Sequence, residues 1–192
     1  MTDALELIDR VLDQTAVVLA GVGDKHRDLP TPCRSWTVDV LERHLIDDVA
    51  QFRTSALGGK ADFGKPVPDV EGDRVAAFRA GAAELLEVWR AKDSDAVIEL
   101  PMGTVPISFL MTQQLTEFCV HSWDLATATG QDAAALDPEL AEAALAWARG
   151  VMQPSFRGSE DDGKVFGPEQ SVREDAAAYE RLAAFYGRVV DA

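Results

Sequence analysis

The chain has 192 residues, of which 47% are hydrophobic, 7% aromatic and 27% charged, the profile of a globular protein able to bury about 70% of its open-chain surface. Eighteen basic residues against 33 acidic ones give a net charge of −15, a field that repels nucleic acid and anionic lipid surfaces, so neither is expected as a partner. There is no apolar run of membrane-spanning length and no signal-peptide start, and the only cysteines, Cys33 and Cys119, build neither a disulfide framework nor a zinc knuckle; a cytoplasmic protein is expected.

In chain order, Leu5, Ile8, Leu12 and Leu19, with Thr15 between the last two, recur at helical steps and predict a first helix ending near Gly21 and Gly23. After a turn-like stretch over 29–33, Thr37 stands where an N-cap hydroxyl belongs, and Asp39 suits the first turn. Leu41, Leu45 and Phe52 carry this second helix to an end by Gly58. Residues 58–72, with four glycines plus Pro66 and Pro68, read as a loop. Phe78, Ala82, Leu85 and Trp89 mark a third helix. Residues 96–106 are β-branched but broken by Pro101, Gly103 and Pro106, so they form at most a small β-ribbon. A fourth helix runs from Ile107 to Ala128 and stops at Gly130. Asp137-Pro138 opens a fifth, carrying Leu140, Ala144, Trp147 and Val151. Residues 154–170 have no period and form a loop long enough to belong to a site. Ser171 to Glu174 reads as a capping box opening a sixth helix with the stripe Tyr179, Leu182, Tyr186 and Val189. The expected fold is all-α, a single domain over 1–192 built on a four-helix bundle with additional C-terminal helices.

Two helices place polar residues on their apolar faces. In the second, His44 and Asp48 share the stripe of Leu41, Leu45 and Phe52; in the fourth, Leu110, Gln113, Glu117, His121, Asp124 and Ala128 share one stripe. Buried carboxylates need cationic or hydrogen-bonding partners. A divalent cation is one such partner: His44, Glu117 and His121 would hold zinc, nickel or iron with coordination positions left open, as a catalytic site requires. Asp48, Gln113 and Asp124 lie within a turn of these ligands and could orient an imidazole, handle protons or bind an incoming group. The other reading, which spacing alone favours, is that these groups satisfy one another, with Asp48 and Asp124 paired to an arginine such as Arg43 or Arg53. His26 is expected in a solvated turn, Cys33 as a buried structural thiol and Cys119 in the core. Trp36, Trp89 and Trp147 are expected as packing anchors, and Trp123 as core or a pocket wall. No phosphate-binding loop or serine nucleophile elbow is present.

The segment Thr31-Pro-Cys-Arg-Ser-Trp-Thr-Val38 followed by His44, and the segment Glu117-Phe-Cys-Val-His-Ser-Trp-Asp-Leu-Ala126, resemble signatures of the DinB/YfiT-like metalloenzyme superfamily. Within it the chain is most similar to the branch containing the N-terminal domain of mycothiol-dependent maleylpyruvate isomerase. Gly103-Thr-Val-Pro106, Phe166-Gly-Pro168 and residues 181–188 also resemble that branch. The resemblance implies a DinB-like bundle and a divalent metal, zinc before nickel or iron, at the matching positions His44, Glu117 and His121. It also implies mycothiol as a thiol cosubstrate, so that a small-molecule thiol and an electrophile are the partners, with a homodimer left open. The isomerase shares the His/Glu/His pattern but carries a further C-terminal domain that this chain is too short to contain whole, so maleylpyruvate itself is not the expected substrate. The expected function is a metal-dependent thiol S-transferase or isomerase acting on a small electrophile, with Asp48 and Gln113 as catalytic residues. The competing readings are a non-catalytic metal- or ligand-binding bundle and a metal-dependent hydrolase using the same site.

Overall fold

Local capping chemistry starts the helices where the sequence signals stand. In the computed structural model, which describes residues 3–33, 35–93, 95–100 and 103–190, Asp3 caps α1 (Ala4–Ala20) by accepting from the Leu5 amide at 3.3 Å. Thr37 caps α2 (Val38–Ala56) through the Val40 amide, and Asp73 caps α3 (Arg74–Arg90) through the Ala76 amide. The ribbon is a two-stranded antiparallel hairpin, β1 (Val97–Leu100) and β2 (Gly103–Pro106), with Ile98 opposite Val105. Arg34 of the first signature and Pro101 of the ribbon lie outside the described residues. Helix α4 (Ile107–Thr129) ends at Gly130 with φ 70°, the left-handed closing conformation that glycine adopts at least cost. Asp137 caps α5 (Pro138–Val151), and α6 spans Ala178–Phe185.

Helices α1 and α2 each pack against both α3 and α4, which makes the four-helix bundle; α5 and α6 pack on each other and on the outer face of α4. The core is aromatic and aliphatic: Phe118 of α4 meets Phe78 of α3 edge-on at 5.9 Å and Phe52 of α2 at 6.1 Å. Gly81 lets α3 approach α2 closely, since a Cβ there would stand 2.7 Å from Val49 Cγ2. The few polar core groups are mostly paired. Trp89 Nε1 donates to Gln114 Oε1 at 3.0 Å, and Thr15 of α1 and Ser122 of α4 join hydroxyls at 3.0 Å.

The sixth helix differs from its expected start. It begins at Ala178 rather than after Ser171, and Glu180 Oε2 accepts from the Ala177 amide at 2.8 Å. Upstream, the Gln170 amide donates to Ala184 O at 2.9 Å, so this stretch lies beside the end of α6 and cannot continue the same helix. Val189 falls beyond the helix and is exposed, because Gly187, at φ 86°, turns the chain after Tyr186. Gly187 also sits against Gly167, where a Cβ would meet backbone atoms at 2.7 to 3.0 Å. This turn sends Arg188 back into the bundle.

Candidate metal centre

The Thr37 cap sets the phase of α2 so that His44 and Asp48, one turn apart, face α4; Glu117 and His121, also one turn apart, face back. Glu117 Oε1 stands 3.2 Å from His44 Nε2 and 3.1 Å from His121 Nε2. Asp48 Oδ2 lies 3.2 Å from His44 Nε2. Behind His121, Nδ1 is 2.9 Å from Asp124 Oδ2, and both Asp124 oxygens receive Arg188, at 3.2 Å from Nε and 2.8 Å from Nη2. An ionised, arginine-bound Asp124 only accepts, so His121 donates to it from Nδ1, which leaves Nε2 facing Glu117.

The wall beside these residues comes from the turn that precedes α2. Thr31 and Trp36 pair through their backbones, and Thr31 Oγ1 donates to Cys33 O and Trp36 O at 2.9 and 3.0 Å, closing a tight loop in which Ser35 has φ 60°. The loop lays Trp36 against both imidazoles, 4.6 Å from the His44 ring and 5.7 Å from the His121 ring. Cys33 lines the same cavity of about 450 Å³, with Phe63, Gln113, Lys164 and Tyr186 elsewhere on its walls.

Charge is arranged asymmetrically here. Burial works to raise the Glu117 carboxyl, but the two histidines outweigh it and hold it well below the usual carboxylate range. Burial opposes protonation of His121, yet Glu117 and Asp124 push it well above the imidazole value. Burial, and then the charge of Glu117, push Asp48 well above the ordinary carboxyl range. Asp124 is held low because Arg188 and His121 overcome its burial.

The donor chemistry fits a divalent cation. Two imidazole nitrogens and one carboxylate oxygen lie within 4.8 Å of one another, and the two separations through Glu117 approach the ~3.3 Å edge of a tetrahedral shell with bonds of about 2.0–2.1 Å. The second nitrogen of His121 is already anchored to a carboxylate, the usual support for a metal-binding imidazole.

Of the residues singled out from sequence, His44, Glu117 and His121 converge, Asp48 adjoins His44, and Gln113 lies on the cavity wall. Several expectations need correction. Asp124 pairs with Arg188 and not with Arg43 or Arg53; Arg43 binds Asp39 and Asp69, and Arg53 binds Glu84. Trp36 packs against the core as expected and is also a wall of the site, because the turn swings it over the imidazoles, and Cys33 faces the cavity instead of the core. Trp123 is buried and lies away from the cavity, whereas Trp89 is core and Trp147 is half-buried against Phe109. His26 is half-buried in a turn where Nδ1 accepts from Gly23 N. Cys119 is in the core, and its burial pushes the thiol up to about 12. Arg188, Lys164 and Tyr186 were not singled out for the site. The advance signals were the length of the aperiodic loop over 154–170 for Lys164 and the resemblance over residues 181–188 for Tyr186 and Arg188.

A family model described as the mycothiol maleylpyruvate isomerase N-terminal domain matches residues 8–126. The chain belongs to this family. An uncharacterised protein of Mycobacterium tuberculosis is 36% identical over 98% of this chain and 99% of its own length. The crystal structure of a DinB-like protein from Bacillus subtilis superposes with a TM-score of 0.54 and 13% identity, covering 67% of this chain and 91% of that one, which shows a DinB-like bundle fold. The crystal structure of the mycothiol-dependent maleylpyruvate isomerase aligns with a TM-score of 0.47 at 15% identity, over 73% of this chain and 65% of that one. Lys164, Tyr186 and Arg188 lie beyond the span of the family match.

Proposed function

We propose that this chain is a divalent-metal-dependent enzyme that joins a low-molecular-weight thiol, mycothiol, to a small electrophile, or adds it transiently to isomerise a double bond. The observation that carries this reading is the convergence of His44 Nε2, Glu117 Oε1 and His121 Nε2 on the wall of a cavity of about 450 Å³. Membership of a family named for a mycothiol-dependent isomerase supports the choice of thiol. Those three residues would hold the cation, zinc before nickel or iron, and when bound it would favour thiolate over thiol at neutral pH.

The remaining steps belong to the protein. Asp124, clamped by Arg188, keeps His121 in one tautomer and one orientation. Asp48 faces the Glu117 charge across His44 and holds a proton within reach of the reacting groups. Gln113 presents an amide to the cavity that can orient a carbonyl, and Trp36, Phe52 and Phe63 give it apolar walls.

The test is elemental analysis of protein purified without a metal-affinity column, with Glu117→Ala in parallel, followed by mycothiol consumption against a panel of electrophiles. Near-stoichiometric metal in the parent, none in the variant, and turnover abolished by a chelator are expected. Full metal content in His44→Ala would refute the ligand assignment, and thermal stabilisation by thiol without turnover would make the chain a binding module.

A further inference from the structure

The protein has two tyrosines, and their hydroxyls are treated differently. Tyr179 lies in the core, where its hydroxyl accepts from Gln14 Nε2 at 2.6 Å and donates to Cys119 Sγ at 3.7 Å. Tyr186 is only 6% exposed, yet its hydroxyl has no hydrogen-bond partner among the described residues. Nor is that oxygen sealed off: among the described residues the unpartnered side-chain atoms shut away from solvent are Arg27 Nε, Gln114 Nε2 and Arg181 Nε. It therefore opens on the cavity that its ring lines together with His44, Glu117 and His121. A buried phenol normally finds a partner inside the protein, so one left free on a cavity wall is placed to take its partner from a ligand.

The rest of Tyr186 is fixed. Its ring meets Phe166 edge-on at 5.4 Å and Phe185 at 5.6 Å. Arg157 Nη1 donates to Gly167 O at 3.1 Å and Phe185 O at 2.6 Å, which pins the loop bearing Phe166 to the end of α6. The Tyr186 carbonyl accepts from Arg188 Nη1 at 3.1 Å, and Arg188 holds Asp124 behind His121, so the phenol and the imidazole are set on one frame. Burial, and after it the charge of Glu117, push the phenol above its usual range, so the hydroxyl stays a protonated donor within electrostatic reach of the metal-site carboxylate. A rigid, uncharged donor of this kind needs no reorientation and acts most strongly where negative charge develops.

Building on the thiol-addition reading, we propose that Tyr186 is a catalytic residue whose hydroxyl binds the carbonyl oxygen of an α,β-unsaturated electrophile and the enolate that this oxygen becomes. The thiolate lone pair forms the S–C bond at the β-carbon, the C=C pair shifts toward the carbonyl carbon, and the C=O pair moves onto the oxygen facing Tyr186. That pair returns when Asp48 protonates the α-carbon, or when the thiolate is expelled after rotation about the former double bond, so Tyr186 keeps its own proton throughout. The family match ends at residue 126, so this donor comes from a part of the chain outside it.

The experiment measures, by calorimetry, binding of three flat probes to the parent and to Tyr186→Phe, which keeps the ring packed on Phe166 and Phe185 and deletes only the hydroxyl. The probes are α-methylstyrene, its carbonyl isostere acetophenone, and 4-nitrophenolate as a mimic of the enolate. The variant should bind α-methylstyrene like the parent, acetophenone about fivefold more weakly and 4-nitrophenolate about thirtyfold more weakly, since a hydrogen bond to a charged oxygen is the stronger. Equal affinities of parent and variant for both oxygen probes overturn the proposal, as does an equal loss for all three, which would make Tyr186 a packing residue alone. Failure of the parent to prefer 4-nitrophenolate to α-methylstyrene also overturns it. Metal content of the same samples reports on the reading beneath it. The graded loss in protein that proves metal-free would refute the metal assignment while upholding Tyr186 as the donor.

Discussion

Arg188 donates to both carboxylate oxygens of Asp124, at 3.2 and 2.8 Å, across 64 residues of chain. The pair ties the segment after α6 to the helix that carries Glu117 and His121. Removing the arginine by Arg188→Met strands a fully buried carboxylate beside His121. We expect a loss of about 3–5 kcal/mol, read as a fall of roughly 10 °C in the calorimetric melting temperature. Metal affinity should fall about tenfold or more by competition with a chromogenic chelator, because His121 loses its orientation. A variant with parental affinity would show that the clamp supports the fold alone.

Trp36 lies closest to the His44 ring, at 4.6 Å. Addition of Cu²⁺ or Co²⁺ should therefore quench tryptophan fluorescence by no more than about one residue's share of the four present. Trp36→Phe should abolish the effect, and Trp147→Phe should leave it intact. The opposite pattern would place the bound ion elsewhere.

Asp39 accepts from Arg74 at 2.6 Å and Arg43 at 3.0 Å, and Glu42 accepts from Arg74 at 2.7 Å. Burial acts to raise Asp39, yet the two guanidinium groups hold it below its ordinary 3.8. A carboxyl depressed on folding contributes stability that is complete above its unfolded value and is lost as the pH falls through the folded one. The melting temperature should thus drop below about pH 4, and Arg74→Met should flatten part of that acid limb. At neutral pH the same variant should lose about 3 kcal/mol by denaturant titration, since it strips the buried Glu42 of its closest cation.

The two thiols should separate cleanly. Burial raises Cys33, an effect that His121 and Arg188 offset in part, and Cys33 opens on the cavity; Cys119 is sealed in the core and pushed up to about 12. A disulfide reagent should modify one thiol slowly in the folded protein, speeding about tenfold per pH unit while the thiolate is scarce, and the second only after unfolding. Cys33→Ser should remove the native reaction. Rapid labelling of Cys119 in the folded state would contradict this packing.

Much of the bundle was legible. Leu41, Leu45, Phe78, Leu85, Leu110 and Leu140 are buried at the faces their spacing assigned, and the caps at Thr37, Asp137 and Gly130 hold in the structure. The inward direction of His44, Asp48, Glu117 and His121 was legible by the same route, as a residue's direction on a helix follows from its apolar neighbours. The capping pattern at Ser171 misled because a local signal cannot register that Gln170 pairs with Ala184 of the helix it was meant to open.

By itself the sequence determined which helices form and that His44, Asp48, Glu117 and His121 face inward, since both follow from a period of 3.6 residues and from short-range capping. Only the tertiary structure decided that Cys33, Trp36, Lys164 and Arg188 meet the two histidines and Glu117. Those meetings depend on the paths of a tight turn, a pinned loop and the approach of Gly187 to Gly167. Such paths arise from long-range packing and backbone pairing, which leave no periodic trace in the chain.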